Sequence, residues 1–242
     1  MKRSLLYIFI GAAIATLTAC DEGDITDEVF VDETESYVVK FTGDISGVDR
    51  WAEDYDIVLA AFDGESDYSV IQKQVTATDD ARTTLILSGV PTTARSIEFC
   101  VTNKLRRRVI SFESLAIDPS EHSPSDTLRL DLTSPINVGM FASIQRYIFD
   151  GAAYNCSLCH GAENGRAGLD LTQGRSHENL VSTASTRVEG GTRVVPGNAS
   201  ASVLHSALAE GNPAGLRYDH SGLIDDVVRR LIDDWIDAGA KD

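Results

Sequence analysis

Thr127-Leu128-Arg129-Leu130-Asp131-Leu132 alternates polar and apolar residues without a break. Successive side chains of a strand point to opposite faces, so this pattern predicts a strand with one face in a core and one in water. Toward the N-terminus, six more short runs rich in Val, Ile, Thr and Phe read the same way, over 37–41, 57–62, 70–77, 83–87, 97–102 and 108–113. Turn formers separate them: Gly43-Asp44, Asp63-Gly64, Asp79-Asp80, Gly89-Val90-Pro91, Pro119 and Pro124. Seven short strands in 36–134 predict an immunoglobulin-like sandwich, an architectural label only, because no Cys–Trp–Cys pattern accompanies it. Cys100, flanked by Phe99 and Val101, is expected to be a buried core thiol. Lys104, Arg106, Arg107 and Arg108 predict a charged hairpin tip or edge that resists pairing with other chains. An anion or lipid-headgroup site is the other reading of those four cations.

Past the alternating strand the period changes. Ser134 can cap a helix with Pro135 at its first position, and Ile136, Met140, Phe141, Ile144, Tyr147 and Ile148 share one helical face, which predicts a helix over 135–150. It leads into Cys156-Ser157-Leu158-Cys159-His160, the C-x-x-C-H spacing that attaches c-type haem. Two thiols separated by one tight turn can form thioethers with two vinyl groups on one porphyrin edge. The following imidazole, His160, then comes under the ring as an axial iron ligand. Gly161 suits a backbone that bends close to the haem face. Half of a zinc site is a competing reading, but no second cysteine pair exists and His122, His177, His205 and His220 are scattered. A thiol–disulfide pair is another, without the βαβ context such a site favours. Downstream, 161–211 is glycine-rich with short helices expected over 176–182 and 199–210, and a final helix is expected over 225–238, ended by Gly239. Residues 135–242 are thus predicted to form an all-α haem domain.

The N-terminus reads as an export signal over 1–20, with Lys2 and Arg3 ahead of a short apolar run that ends in Leu17-Thr18-Ala19-Cys20. That ending resembles the bacterial lipobox, which makes Cys20 a lipidated anchor facing the periplasm or exterior from the inner or outer membrane. Eight acidic residues within 21–35 predict a self-repelling tether. The formal net charge of −16, concentrated before residue 136, excludes nucleic acid and favours a basic partner.

Several pieces of 135–242 resemble the planctomycete-type and proteobacterial cytochrome c-like domain, itself similar to class I cytochromes c: Ile148-Phe149, Gly168-Leu169-Asp170-Leu171, Asn179-Leu180-Val181, Val195-Pro196-Gly197-Asn198, Ser202-Val203-Leu204 and Trp235-Ile236-Asp237-Ala238-Gly239-Ala240. The resemblance implies one covalent haem c, one-electron transfer, and a crossing of first and last helices at which Phe149 or Tyr147 packs on Trp235. It also implies a distal methionine before the last helix. The chain departs from it there, with no methionine after Met140 and Gly215-Leu216-Arg217-Tyr218-Asp219-His220 in that region. His220 is therefore the expected second iron ligand beside His160, with His177, His205 or an open position as alternatives. Two closed imidazole ligands fit a membrane-anchored electron carrier that meets a redox partner protein. An open position would fit a haem peroxidase or gas-ligand sensor.

Overall fold

The alternating run is a strand, β7 (Thr127–Asp131), and it keeps its pattern: Leu128 and Leu130 are buried while Thr127, Arg129 and Asp131 are exposed. The computed structural model describes residues 35–76, 82–163 and 165–242. The expected export signal, the expected lipidation site Cys20, residues 21–34 of the expected tether and the Asp79-Asp80 turn lie outside the described residues.

Seven further strands accompany β7: β1 (Ser36–Ser46), β2 (Tyr55–Phe62), β3 (Ile71–Gln74), β4 (Arg82–Pro91), β5 (Ser96–Asn103), β6 (Arg108–Ala116) and β8 (Ile136–Asn137). They form two sheets. In one, β1 lies between antiparallel β4 and parallel β7, and its last residues pair in parallel with β8. The other runs β3-β2-β5-β6, all antiparallel. Their facing sides meet through Phe41 and Phe99, with ring centroids 4.7 Å apart, and Phe99 in turn packs on Phe112.

β2 and β5 are buried on both faces, which explains their near-continuous apolar runs. Their second face holds Val58, Ala60, Phe62 and Cys100, a small separate cluster. The β2–β3 connection reaches the far edge of this sheet: the Ser69 amide donates to the Arg106 carbonyl and the Arg108 amide to the Asp67 carbonyl. Cys100 is fully buried and unbonded, and burial pushes its thiol pKa far above the ordinary value. Three of the four cations at the β5–β6 turn pair locally with acids, and Arg106 donates to the Ser69 hydroxyl. Lys104 pairs with Asp56, Arg107 with Asp67, and Arg108 with both Glu98 and Asp67. These pairs favour the charged-tip reading over an anion site.

The expected fold class fails in the second half. The molecule is mostly β-sheet, and 135–242 is not an all-α domain. Its helices are α1 (Met140–Ile144, continued by one π-helical turn over Gln145–Phe149), α2 (Ser176–Leu180), α3 (Val203–Leu208) and α4 (Asp226–Asp237). Among the described residues of this half only α4, at 12 residues, is regular α-helix for more than two turns. Two local causes account for this. Ile136 continues as β8 against Ile45 of β1, so the helix begins at Met140, behind Gly139, instead of at Pro135. The glycine-rich stretch then spends Gly168, Gly174, Gly190, Gly197 and Gly211 at positive φ, in turns that interrupt helices. Among the described residues no helix is long and apolar enough to cross a membrane.

One apolar core runs from Tyr37 through both sheets to Ile236 and Ala240. Trp235 of α4 is buried and stacks on Phe141, centroids 5.0 Å apart and 25° between planes. Phe141 is thus its aromatic partner, not Phe149 or Tyr147. Phe149 meets Phe141 edge-on, and Tyr147 turns toward Phe112 of β6.

Tyr55 of β2 also reaches α4, its hydroxyl donating to Asp234 Oδ2 at 2.6 Å. Burial raises the Asp234 carboxyl above its ordinary pKa, and the Tyr55 bond opposes that shift. With a raised folded pKa, ionisation of Asp234 by itself weakens the fold as pH rises through that value, and Tyr55 offsets part of the loss. Tyr55→Phe is therefore expected to cost about 1–2 kcal/mol at neutral pH, where Asp234 is ionised. The loss should shrink as pH falls through the raised pKa. Urea denaturation of both proteins at several pH values checks this, and a loss that grew on acidification would contradict it.

Candidate haem site

Cys156–Leu158 form a single 3₁₀ turn, entered through Asn155 in the left-handed region at φ 44°. The amides of Cys159 and His160 both donate to the Cys156 carbonyl, which packs the motif into one tight loop. Gly161 is required here: a Cβ at that position would sit 2.7 Å from the Ser157 carbonyl oxygen. The His160 carbonyl accepts from the Leu171 amide at 2.6 Å, and Leu171 in turn is held by the buried Gln145 side chain of the π-helical turn. Gln145 also accepts from the Ser176 hydroxyl at the start of α2. The motif is thus anchored to the element before it and to the helix after it.

The thiols of Cys156 and Cys159 are free and partly buried. Burial pushes the Cys156 thiol up to about 11. A thiol held protonated at neutral pH lacks the thiolate character of a disulfide-exchange site, so the redox-pair reading loses support. Among the described residues no three or more His, Cys, Asp or Glu side chains cluster as metal ligands, which a structural zinc site would need.

His160 Nδ1 lies 3.0 Å from the Arg166 carbonyl oxygen. A carbonyl only accepts, so Nδ1 carries the proton and Nε2 keeps its lone pair for a metal. Burial lowers the His160 pKa, with the charges of His220, Arg166 and Arg193 acting in the same direction and the Arg166 carbonyl opposing them. The ring is therefore neutral at pH 7, the form that binds iron.

Of the three candidate distal histidines, one faces His160. The rings of His160 and His220 have centroids 6.1 Å apart with 31° between planes. An imidazole nitrogen lies about 2 Å from a bound metal, and a ring centroid about 1 Å behind its nitrogen, so a shared ion needs a centroid separation of about 6 Å. His220 Nδ1 is buried and has no hydrogen-bond partner among the described residues, a costly arrangement for a polar atom. His177 is engaged elsewhere, its Nε2 at 2.8 Å from the Ala240 carbonyl and its ring edge-on to Phe141 and Trp235. His205 is paired with Asp233 at 2.9 Å between α3 and α4.

The loop bearing His220 is built by residues that carry no motif. Asn212 closes it through two bonds to Leu216, and Asp219 accepts from the Ser221 amide. Tyr154, two residues before Cys156, donates to Asp225 at 2.8 Å. Asp225 also caps α4 through the amides of Val227 and Val228. One carboxylate thus joins the Cys156 loop to the His220 loop and to the final helix. Leu158, Tyr218 and Leu223 leave apolar surface exposed on these same two loops, at 69%, 60% and 48%. Exposed apolar side chains beside an orphaned imidazole suit a flat, apolar prosthetic group. Two thiols on one turn, a tautomer-fixed imidazole and a facing imidazole fit a c-type haem. Comparison with models of known protein families, with curated proteins and with solved structures yields no match to this chain.

Proposed function

We propose that this chain is an electron carrier of the bacterial cell envelope, holding one haem c through thioethers of Cys156 and Cys159 with His160 and His220 as axial ligands. The observation that supports this best is the neighbouring pair of imidazoles, one donating from Nδ1 to the Arg166 carbonyl and the other with a buried nitrogen that has no partner among the described residues. When bound, the haem iron supplies reversible one-electron exchange. The polypeptide fixes the ligand set, limits water and sets the potential. Imidazole in place of a thioether favours ferric iron, so the midpoint potential is expected below that of methionine-ligated relatives. Lipid on Cys20 would hold the protein at the inner or outer membrane, and the net charge of −16 selects a basic redox partner by salt-sensitive attraction.

Visible spectra of the exported protein, matured with the haem-attachment machinery, test the reading. The wild type is expected to be low-spin without the red methionine–iron band, and slow to bind carbon monoxide. His220→Ala is expected to turn it high-spin and to make carbon monoxide binding rapid. A wild type without covalent haem would sink the proposal. A high-spin wild type indifferent to His220→Ala would instead favour an open-site peroxidase or gas sensor.

A further inference from the structure

Among the described residues Arg193 is a buried cation without an acid. Its residue surface is 8% exposed, and its guanidinium donates to three main-chain oxygens: Asn179 at 2.8 Å, Gly168 at 2.8 Å and Ala167 at 3.2 Å. No carboxylate among the described residues pairs with it, and burial lowers its pKa. A guanidinium in such a place is expensive unless its charge serves something nearby.

What it holds is the turn that orients His160. Arg166–Gly168 form a 3₁₀ turn in which Ala167 and Gly168 both adopt left-handed conformations, φ 61° and 60°. Alanine there is strained by about 1 kcal/mol. Carbonyls of a left-handed pair need donors, and the Arg193 fork supplies one to each, with the Thr186 hydroxyl adding a second bond to Ala167. The residue just before this pair is Arg166, whose carbonyl receives the His160 Nδ1 proton at 3.0 Å.

We infer that Arg193 is the positioning residue of the haem site, fixing the Arg166 carbonyl that sets the His160 tautomer and placing an unpaired positive charge beside the iron that favours its ferrous form. The inference rests on the haem reading above. It opposes the imidazole ligands: they draw the potential down, and the buried cation draws it back up. As a general scale, one charge roughly 10 Å from a one-electron centre, in an effective dielectric of about 20, changes its equilibrium by about tenfold. For one electron that corresponds to 59 mV.

The test measures haem content and midpoint potential in the full-length matured protein. Arg193→Gln is expected to shift the ferric–ferrous equilibrium about tenfold toward ferric. Arg193→Lys, which keeps the charge and loses the fork, is expected to retain most of the potential while broadening the low-spin spectrum through a looser His160. Ala167→Gly combined with Arg193→Gln relieves the left-handed strain and reports the charge effect should the single variant not accumulate. Wild-type potential in Arg193→Gln or in the double variant overturns the inference. So does failure of all three variants beside a normally loaded wild type, which would leave Arg193 a purely structural residue. A wild type that carries no haem refutes the haem reading itself, a result visible before any variant is made.

Discussion

Replacing Cys156 and Cys159 together by alanine is expected to abolish covalently retained haem. On the proposed chemistry each thiol adds across one vinyl group, so the two thioethers are the only covalent links between the chain and the porphyrin. His160 and His220 remain in the double variant, and any haem they hold is expected to be extractable by acid acetone, whereas wild-type haem stays with the polypeptide through denaturing electrophoresis. Each single variant keeps at most one thioether. Cys100→Ala is the control. Cys100 is wholly buried against Val58, Ala60 and Phe62 on the far face of the β3-β2-β5-β6 sheet, and its thiol stays protonated. Haem attachment in that variant should equal wild type. Haem staining that survives in the Cys156/Cys159 double variant would place the link elsewhere and remove the basis of the site.

The strands were legible in the sequence because their signal is local. Alternation at 127–132 and β-branched runs at 57–62 and 97–102 each depend on a few neighbouring residues. Two of the expected turns were not turns: Gly43-Asp44 lies inside β1 and Gly89-Val90-Pro91 inside β4, held by strand pairing that the local signal does not record. β1, β2, β4, β5, β6 and β7 fall on the expected runs, and β3 takes the middle of its own. The helical half failed for a reason of the same kind. Ile136, Met140, Phe141, Ile144 and Ile148 are indeed buried together, but periodicity does not say which backbone buries them. A two-residue strand, a five-residue helix and a π-helical turn do so in place of one long helix. Pairing of Ile136 with β1 is a contact over ninety residues of chain and leaves no trace in the local pattern.

The candidate site divides along the same line. Cys156, Cys159 and His160 stood out as candidates because the proposed chemistry needs contiguous residues. His220 was proposed from its place in the chain, and of the three histidines it alone has its ring near that of His160. Arg193 and Tyr154 were missed. Arg193 works through carbonyls 14 to 26 residues away and Tyr154 through a carboxylate 71 residues away, and neither spacing resembles a motif. An arginine among apolar residues at Val194-Val195 was the one available hint.

Trp235→Ala is expected to be the most damaging single substitution in the core, costing about 3–5 kcal/mol. Trp235 is 2% exposed, stacks on Phe141 at 5.0 Å, lies 6.3 Å from the His177 ring and donates from its indole nitrogen to the Lys241 carbonyl at 2.8 Å. Truncation therefore opens a cavity, removes a stacked pair and leaves the Lys241 carbonyl without its indole donor. Trp235→Phe separates these effects. It keeps most of the stack and loses the indole bond, and should cost about 1–2 kcal/mol. The consequence reaches the haem site through α4. Its first turn is capped by Asp225, the same carboxylate that receives the Tyr154 hydroxyl, so a loosened α4 frees the loop that carries His220. Trp235→Ala should accordingly lower the thermal midpoint by roughly 10 °C. On the haem reading it should also speed carbon monoxide binding to the ferrous protein, where Trp235→Phe does not. A thermal loss without faster carbon monoxide binding would mean that the His220 loop holds its place independently of α4, and that Tyr154 with Asp225 is enough to keep it there.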